Sequence, residues 1–201
     1  MEARFRRSGI KALIFCIVGN SGSGKTMLVE TLENYAGLPM IRSYTDRKRR
    51  NPDDKDHTYL EPSDYDLLKE SEMIARTCWN GVRYCCLASD VQAINTYVID
   101  EVGLQMLKKN YSDIYRIIAI RIYRPESDRI KSVGEERVAR DKGKFTMELE
   151  DFDYVAVNTS GCKLDLITDV WTFIRNEIEK HVGLAGCEEG LSYGMEYAER
   201  D

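Results

Sequence analysis

Residues 17–26 read IVGNSGSGKT. Within them Gly19, Gly24, Lys25 and Thr26 complete the pattern G-x-x-x-x-G-K-[ST], directly after the apolar run ALIFCIV and directly before the helix-forming run MLVETLENY. A chance match in a chain of this length arises on the order of once in a hundred, and the order of strand, loop and helix makes chance rarer still. Backbone N–H groups of such a loop, freed by glycine to curl inward, cage a phosphate at the positive end of a helix. Gly19, Asn20, Ser21, Gly22, Ser23, Gly24, Lys25 and Thr26 are therefore expected to hold ATP. Lys25 would reach the β- and γ-phosphates, and the Thr26 hydroxyl would take a place on Mg2+. A plain glycine-rich turn accounts for Gly19 but not for a lysine beside a threonine.

Working outward, apolar runs recur at 96–99, 115–123 and 154–157, the texture of buried parallel strands. Helical patterns lie between them, over 25–35, 102–110, 126–141 and 164–180; Leu164, Ile167, Val170, Trp171, Ile174 and Ile178 share one face of the last. Alternation of this kind predicts an α/β fold with a doubly wound parallel sheet. Residues 39–88 interrupt it with SEMIARTCWNGVRYCCLA, two β-prone runs joined by Asn80-Gly81, a hairpin signal because both turn positions require positive φ. A small antiparallel lobe is expected there, decorated by a short helix in EPSDYDLLKES. The glycine- and glutamate-containing stretch 181–201 is expected to be a loosely held tail.

The bulk numbers narrow the class. A chain of 201 residues with 43% apolar and 31% charged residues suits one sizeable α/β unit, taken here as 1–180. A net charge of −5 offers no general footprint for nucleic acid or an anionic membrane. No apolar run approaches the roughly 18 residues of a membrane span. The six cysteines (Cys16, Cys78, Cys85, Cys86, Cys162 and Cys187) show neither paired metal spacing nor the density of a disulfide scaffold, so a reducing cytoplasmic setting is expected. For adjacent Cys85 and Cys86, buried thiols are the simplest account.

Two further signals carry chemistry. TYVIDE ends a strand at Asp100, where a second group for Mg2+ would sit, although an acidic residue also suits a helix N-terminus. A basic run, Arg42, Arg47, Lys48, Arg49 and Arg50, precedes the acidic DDKD of 53–56; it reads either as a solvated loop or as a clamp for a second phosphate.

In order and rough spacing, SYTDRKRR (43–50), DHTYL (56–60), VRYC (82–85), Asp100, ERVARD (136–141) and DYVAVN (153–158) resemble the guanylate kinase-like family. The resemblance implies a P-loop kinase whose inserted lobe (39–88) closes over a nucleoside monophosphate and whose short lid (126–150) closes over ATP. By it, Ser43, Arg47, Arg50, His57, Tyr84 and Asp100 would bind the acceptor, Asp100 and Thr26 the Mg2+, and Lys25, Arg47, Arg137 and Arg140 would serve catalysis. Guanidinium groups suit that task, since phosphoryl transfer is catalysed mainly by positioning and charge neutralisation.

The chain departs from the family where guanine is read. Ala75 in EMIA stands where E-x-[IL]-E places its second glutamate, and Cys85-Cys86 follow Tyr84 in place of Gly-[ST]. His57 replaces the aromatic residue of D-Y-x-F, and lid text like RGT is missing. Guanine donors buried without acceptors cost about 1–3 kcal/mol each. The sequence thus leaves three classes open: a nucleoside monophosphate kinase, a kinase of the same fold for another phosphorylated small molecule, and a binding module without catalysis.

Overall fold

The structure is a computed structural model that describes residues 11–52, 54–79, 81–141, 143, 146–159 and 163–186. Its centre is β1 (Ala12–Val18), which pairs in parallel with β7 (Ile94–Val98) on one side and β8 (Tyr115–Tyr123) on the other. Adding β2 (Met40–Ile41) and β9 (Tyr154–Val157) gives a five-stranded parallel sheet in the order β2-β7-β1-β8-β9.

An unbroken apolar strand has to be covered on both faces. Because side chains alternate along a strand, Leu13, Phe15 and Ile17 join one core with Leu28, Val29 and Leu32 of α1 (Lys25–Ala36). Leu166, Val170 and Ile174 of α6 (Lys163–Gly186) complete that face. Ile14, Cys16 and Val18 join the opposite core with Leu104 and Leu107 of α3 (Glu101–Tyr111). Each such side chain contributes about 1.5–3 kcal/mol by leaving water. The doubly wound α/β expectation is met.

The lobe between β2 and β7 forms a second sheet in the order β4-β3-β6-β5. The expected hairpin is β5 (Met73–Trp79) against β6 (Val82–Leu87), turning at Gly81 with φ +76°; Asn80 lies outside the described residues. The lobe is not wholly antiparallel, since β3 (Tyr44–Thr45) and β4 (Thr58–Tyr59) pair in parallel. Tyr65, Met73 and Cys85 give the lobe a small core of its own, whereas Ile74, Ala75 and Cys86 pack into the main one. The lobe is thereby anchored along one face of its hairpin. The short helix is a single turn, α2 (Pro62–Tyr65), followed by a separate tight turn at Glu70–Glu72.

Two other expectations are corrected. The helix expected over 126–141 is two helices, α4 (Glu126–Val133) and α5 (Glu135–Ala139), because Gly134 adopts φ +84° and ψ +156° between them. The last helix runs to Gly186 rather than ending near 180; Cys162, Cys187 and the tail from 187 onward lie outside the described residues. Among the described residues no helix is long and apolar enough to cross a membrane.

A Gly134→Ala variant is expected to lose about 1–3 kcal/mol of stability in urea denaturation, because a side chain is strained at that φ even in open space. An unchanged midpoint and slope would show that the break between the two helices does not depend on glycine.

Candidate phosphate-binding site

The loop that joins β1 to α1 is wedged against the end of β8. A Cβ on Gly19 would stand 2.6 Å from Ser23 Oγ and 2.7 Å from the Ile122 carbonyl oxygen, so no side chain fits. Gly24 caps α1 at φ +101°, and its Cβ would meet Asn158 Nδ2 at 2.7 Å. The other residues of the loop are fixed from outside. Asn158 Nδ2 donates to the Ser23 carbonyl at 2.8 Å, Arg121 Nη2 to Asn20 Oδ1 at 2.9 Å, and Arg124 Nη1 to the Gly22 carbonyl at 2.9 Å. Ser23 Oγ is fully buried with no hydrogen-bond partner among the described residues.

Lys25, the first residue of α1, folds back so that Nζ donates to the Gly19 and Asn20 carbonyls at 2.7 and 2.9 Å. Burial pushes its pKa down to about 8; Asp141 works the other way, and Arg121, Arg137 and Arg50 add to the depression. The next residue, Thr26, donates its hydroxyl to Asp56 Oδ2 at 3.4 Å. A hydroxyl and a carboxylate side by side are hard oxygen donors, which fits Mg2+. Among the described residues no three acidic, histidine or cysteine side chains form a metal cage. A Mg2+ ion held by one or two protein oxygens together with phosphates and water needs none.

Facing the loop stands the basic run of the lobe. Arg47 Nη2 lies 3.1 Å from Asp54 Oδ2 and 2.7 Å from the Tyr59 hydroxyl, and the Arg50 amide donates to the same Asp54 oxygen at 3.2 Å. Burial acts to raise the Asp54 pKa, but the hydrogen bonds from Tyr59, the Arg50 amide and Arg47 prevail and hold it well below the ordinary carboxylate range. Asp54 thus fixes the Arg47 guanidinium in place. Arg47 Nε is buried and free of hydrogen bonds among the described residues, while Arg50 is exposed. His57 packs edge-on to Tyr59 and Tyr84, with ring centroids 5.9 and 5.5 Å away. Burial, helped by Arg47 and Arg50 against Asp54, pushes its pKa down to about 4.

From the third direction come Arg137 in α5 and Arg140 just after it. Burial lowers the Arg137 pKa, and the charges of Arg50 and Arg140 lower it further. Arg50 and Arg137 therefore lie within electrostatic reach of Lys25, and Arg47 and Arg50 within reach of Arg137, so that the loop, the inserted lobe and α5 converge. Arg140 is exposed and belongs to the cluster through Arg137.

The remaining expected residues have hydrogen bonds of their own. The Ser43 hydroxyl is buried against the Tyr97 hydroxyl at 3.0 Å. Asp100 caps α3 by accepting from the Gly103 amide at 2.7 Å, and its second oxygen lies 3.5 Å from Thr77 Oγ1. Ala75, at a bulge in β5, holds φ +51° and is 2% exposed, so the strand is twisted just where the family pattern has a glutamate. Cys85 and Cys86 are fully buried, and burial raises both thiol pKa values.

Several residues about the loop had no role in the sequence reading. Asp141 accepts from the Ser21 amide, and Asn158 braces Ser23; both end the quoted stretches ERVARD and DYVAVN, so a weak signal was present. Arg121 and Arg124 carried none, and Glu101 only its place at the end of TYVIDE. Glu101 is 4% exposed and accepts from the Thr146 and Met147 amides at 2.7 and 3.2 Å, tying that segment to α3.

The architecture matches the crystal structure of guanylate kinase from Anaplasma phagocytophilum. The TM-score is 0.61 at 19% sequence identity, over 84% of this chain and 87% of that one. The chain has a guanylate kinase-like fold. No family model matches its sequence, and no curated protein matches it either. Likeness at this identity establishes architecture and leaves the chemistry to the residues.

The depressed His57 sets a pH dependence. Between pH 6.5 and about 4 the unfolded chain protonates this ring while the folded chain does not, so stability is intact above 6.5 and falls as the pH drops toward 4. His57→Gln should lose about 1–3 kcal/mol less than the parent over that window in urea titrations at each pH. Equal losses in the two proteins would place the acid sensitivity elsewhere.

Proposed function

We propose that this chain transfers a phosphoryl group from ATP to a phosphorylated acceptor, with a nucleoside monophosphate as the favoured class. The observation that carries this is the convergence of Lys25, Arg50 and Arg137 from three separate parts of the fold: the charges of Arg137 and Arg50 help to depress the Lys25 pKa, and that of Arg50 helps to depress the Arg137 pKa. Packing like charges together is unfavourable unless an anion joins them. Two phosphate-bearing substrates brought end to end are such an anion.

In this proposal Gly19 to Thr26 hold the ATP phosphates, Lys25 bridges toward the transferring group, and Arg137 with Arg140 neutralises it from the lid (126–150). Arg47 and Arg50, with Ser43, His57 and Tyr84, receive the acceptor in the lobe (39–88), and residues 1–180 are the working unit. His57, neutral near pH 7, would act as a hydrogen-bonding group and not as a cation. Thr26 and Asp100, with Asp56 beside the threonine, would place Mg2+, which supplies charge neutralisation on the phosphates. Fixed guanidinium groups supply positioning, so no general base is required.

A second reading is favoured by one position. Ala75 is buried, apolar and held at positive φ, so it offers no carboxylate to a guanine edge. An acceptor whose phosphate is gripped but whose remainder is not guanine fits that wall, including a phosphorylated small molecule that is not a nucleotide.

ADP release from ATP and Mg2+ should be stimulated by at least one member of a panel of GMP, dGMP, AMP, CMP, UMP, dTMP and IMP over a control without acceptor. Lys25→Ala should lower that rate on the order of a hundredfold or more. Stimulation only by non-nucleotide phosphates would transfer the assignment to the second reading. A Lys25→Ala protein with full activity would remove both, and ATP binding without any transfer would leave a binding module.

A further inference from the structure

The most unusual contact around the loop is made by a carboxylate. Asp141 lies just beyond α5, 120 positions from Ser21 in sequence, yet its Oδ2 accepts from the Ser21 backbone N–H at 2.5 Å. The residue is 5% exposed. Ser21 stands midway in a loop whose inward amides are the chemical feature that selects anions, and a carboxylate oxygen accepts from such an amide as a phosphate oxygen does. Lys25 meanwhile is turned onto the Gly19 and Asn20 carbonyls. One amide of the loop is therefore already taken by an anionic group that the chain itself provides.

We propose that Asp141 is an internal stand-in for phosphate, and that a polyphosphate entering the loop displaces it. This rests on the nucleotide reading of the loop. Two consequences follow from charge and connectivity. A polyphosphate seated beside an unmoved, buried carboxylate would face like charge at close range, so both cannot occupy the Ser21 amide. Asp141 is also continuous with the lid arginines: its amide donates to the Val138 carbonyl at 3.1 Å, and the Arg140 amide to Glu136 at 3.1 Å. Freeing the carboxylate therefore loosens the turn that carries Arg137 and Arg140, so filling the loop and releasing these arginines become one event. The acid that blocks the empty loop is then the trigger for rearranging the lid.

The test titrates the full chain and its Asp141→Asn variant with pyrophosphate and with Mg2+-ATP by calorimetry. Asparagine keeps the size of the side chain and an oxygen for the Ser21 amide but removes the charge. Displacement predicts that the variant binds pyrophosphate on the order of tenfold more tightly than the parent. Equal or weaker binding by the variant overturns the proposal and leaves the phosphate site standing, with Asp141 a structural brace. If neither protein binds pyrophosphate or ATP, the nucleotide reading falls and takes the displacement with it. Should the variant fail to fold, hydrogen exchange over residues 135–141 of the parent decides: faster exchange on adding pyrophosphate supports displacement, and unchanged or slower exchange overturns it.

Discussion

Lys25 stands at the head of a helix, partly buried, with its ammonium satisfied by two carbonyls of its own loop. Most of the site follows from keeping that charge where water is scarce. The loop must curl far enough for its carbonyls to reach Nζ, which brings Gly19 against the Ile122 carbonyl and leaves no space for a side chain. That approach in turn requires β1 and β8 to lie side by side in register, with their apolar faces covered by helices on both sides. Sheet, helices and loop are thus linked through one ammonium group.

The arginines obey a different rule. Arg47 is clamped by Asp54 and Tyr59, so it is rigid and nearly neutralised before any ligand arrives. Arg50 and Arg140 are exposed, and Arg137 is half-buried with its Nε lacking a hydrogen bond among the described residues. Such a cluster combines one prepositioned group with several that form no ion pair among the described residues, an arrangement suited to ligands of high negative charge more than to those of particular shape. A different constraint governs the hairpin positions where the family pattern has its guanine readers. Ile74, Ala75 and Cys86 there belong to the main core, so those positions serve packing before recognition.

The central sheet and the glycine-rich loop were legible because both are local. An apolar run, a fixed spacing of glycines and a following helical pattern are properties of neighbouring residues, and Asn80-Gly81 announced the hairpin in the same way. The interruption at Gly134 was not, since glutamates and arginines on either side support helix and glycine is tolerated in helices at modest cost. The short strands β2, β3 and β4 were equally hidden: two residues have no periodicity. Asp54, Asp56 and Glu101 stood in stretches the sequence singled out, DDKD, DHTYL and TYVIDE, but their partners were hidden, because acidic residues usually face water and the contacts of Asp56 and Glu101 lie far along the chain.

The sequence by itself determined an α/β chain built on a strand, a glycine-rich G-x-x-x-x-G-K-T loop and a helix, with an inserted hairpin lobe, since these depend on residues next to one another. Only the tertiary structure decided which charges meet. Lys25, Arg50, Arg137 and Asp141 come from three segments far apart in the chain, and their mutual influence depends on distance and burial, quantities that spacing along a sequence does not contain.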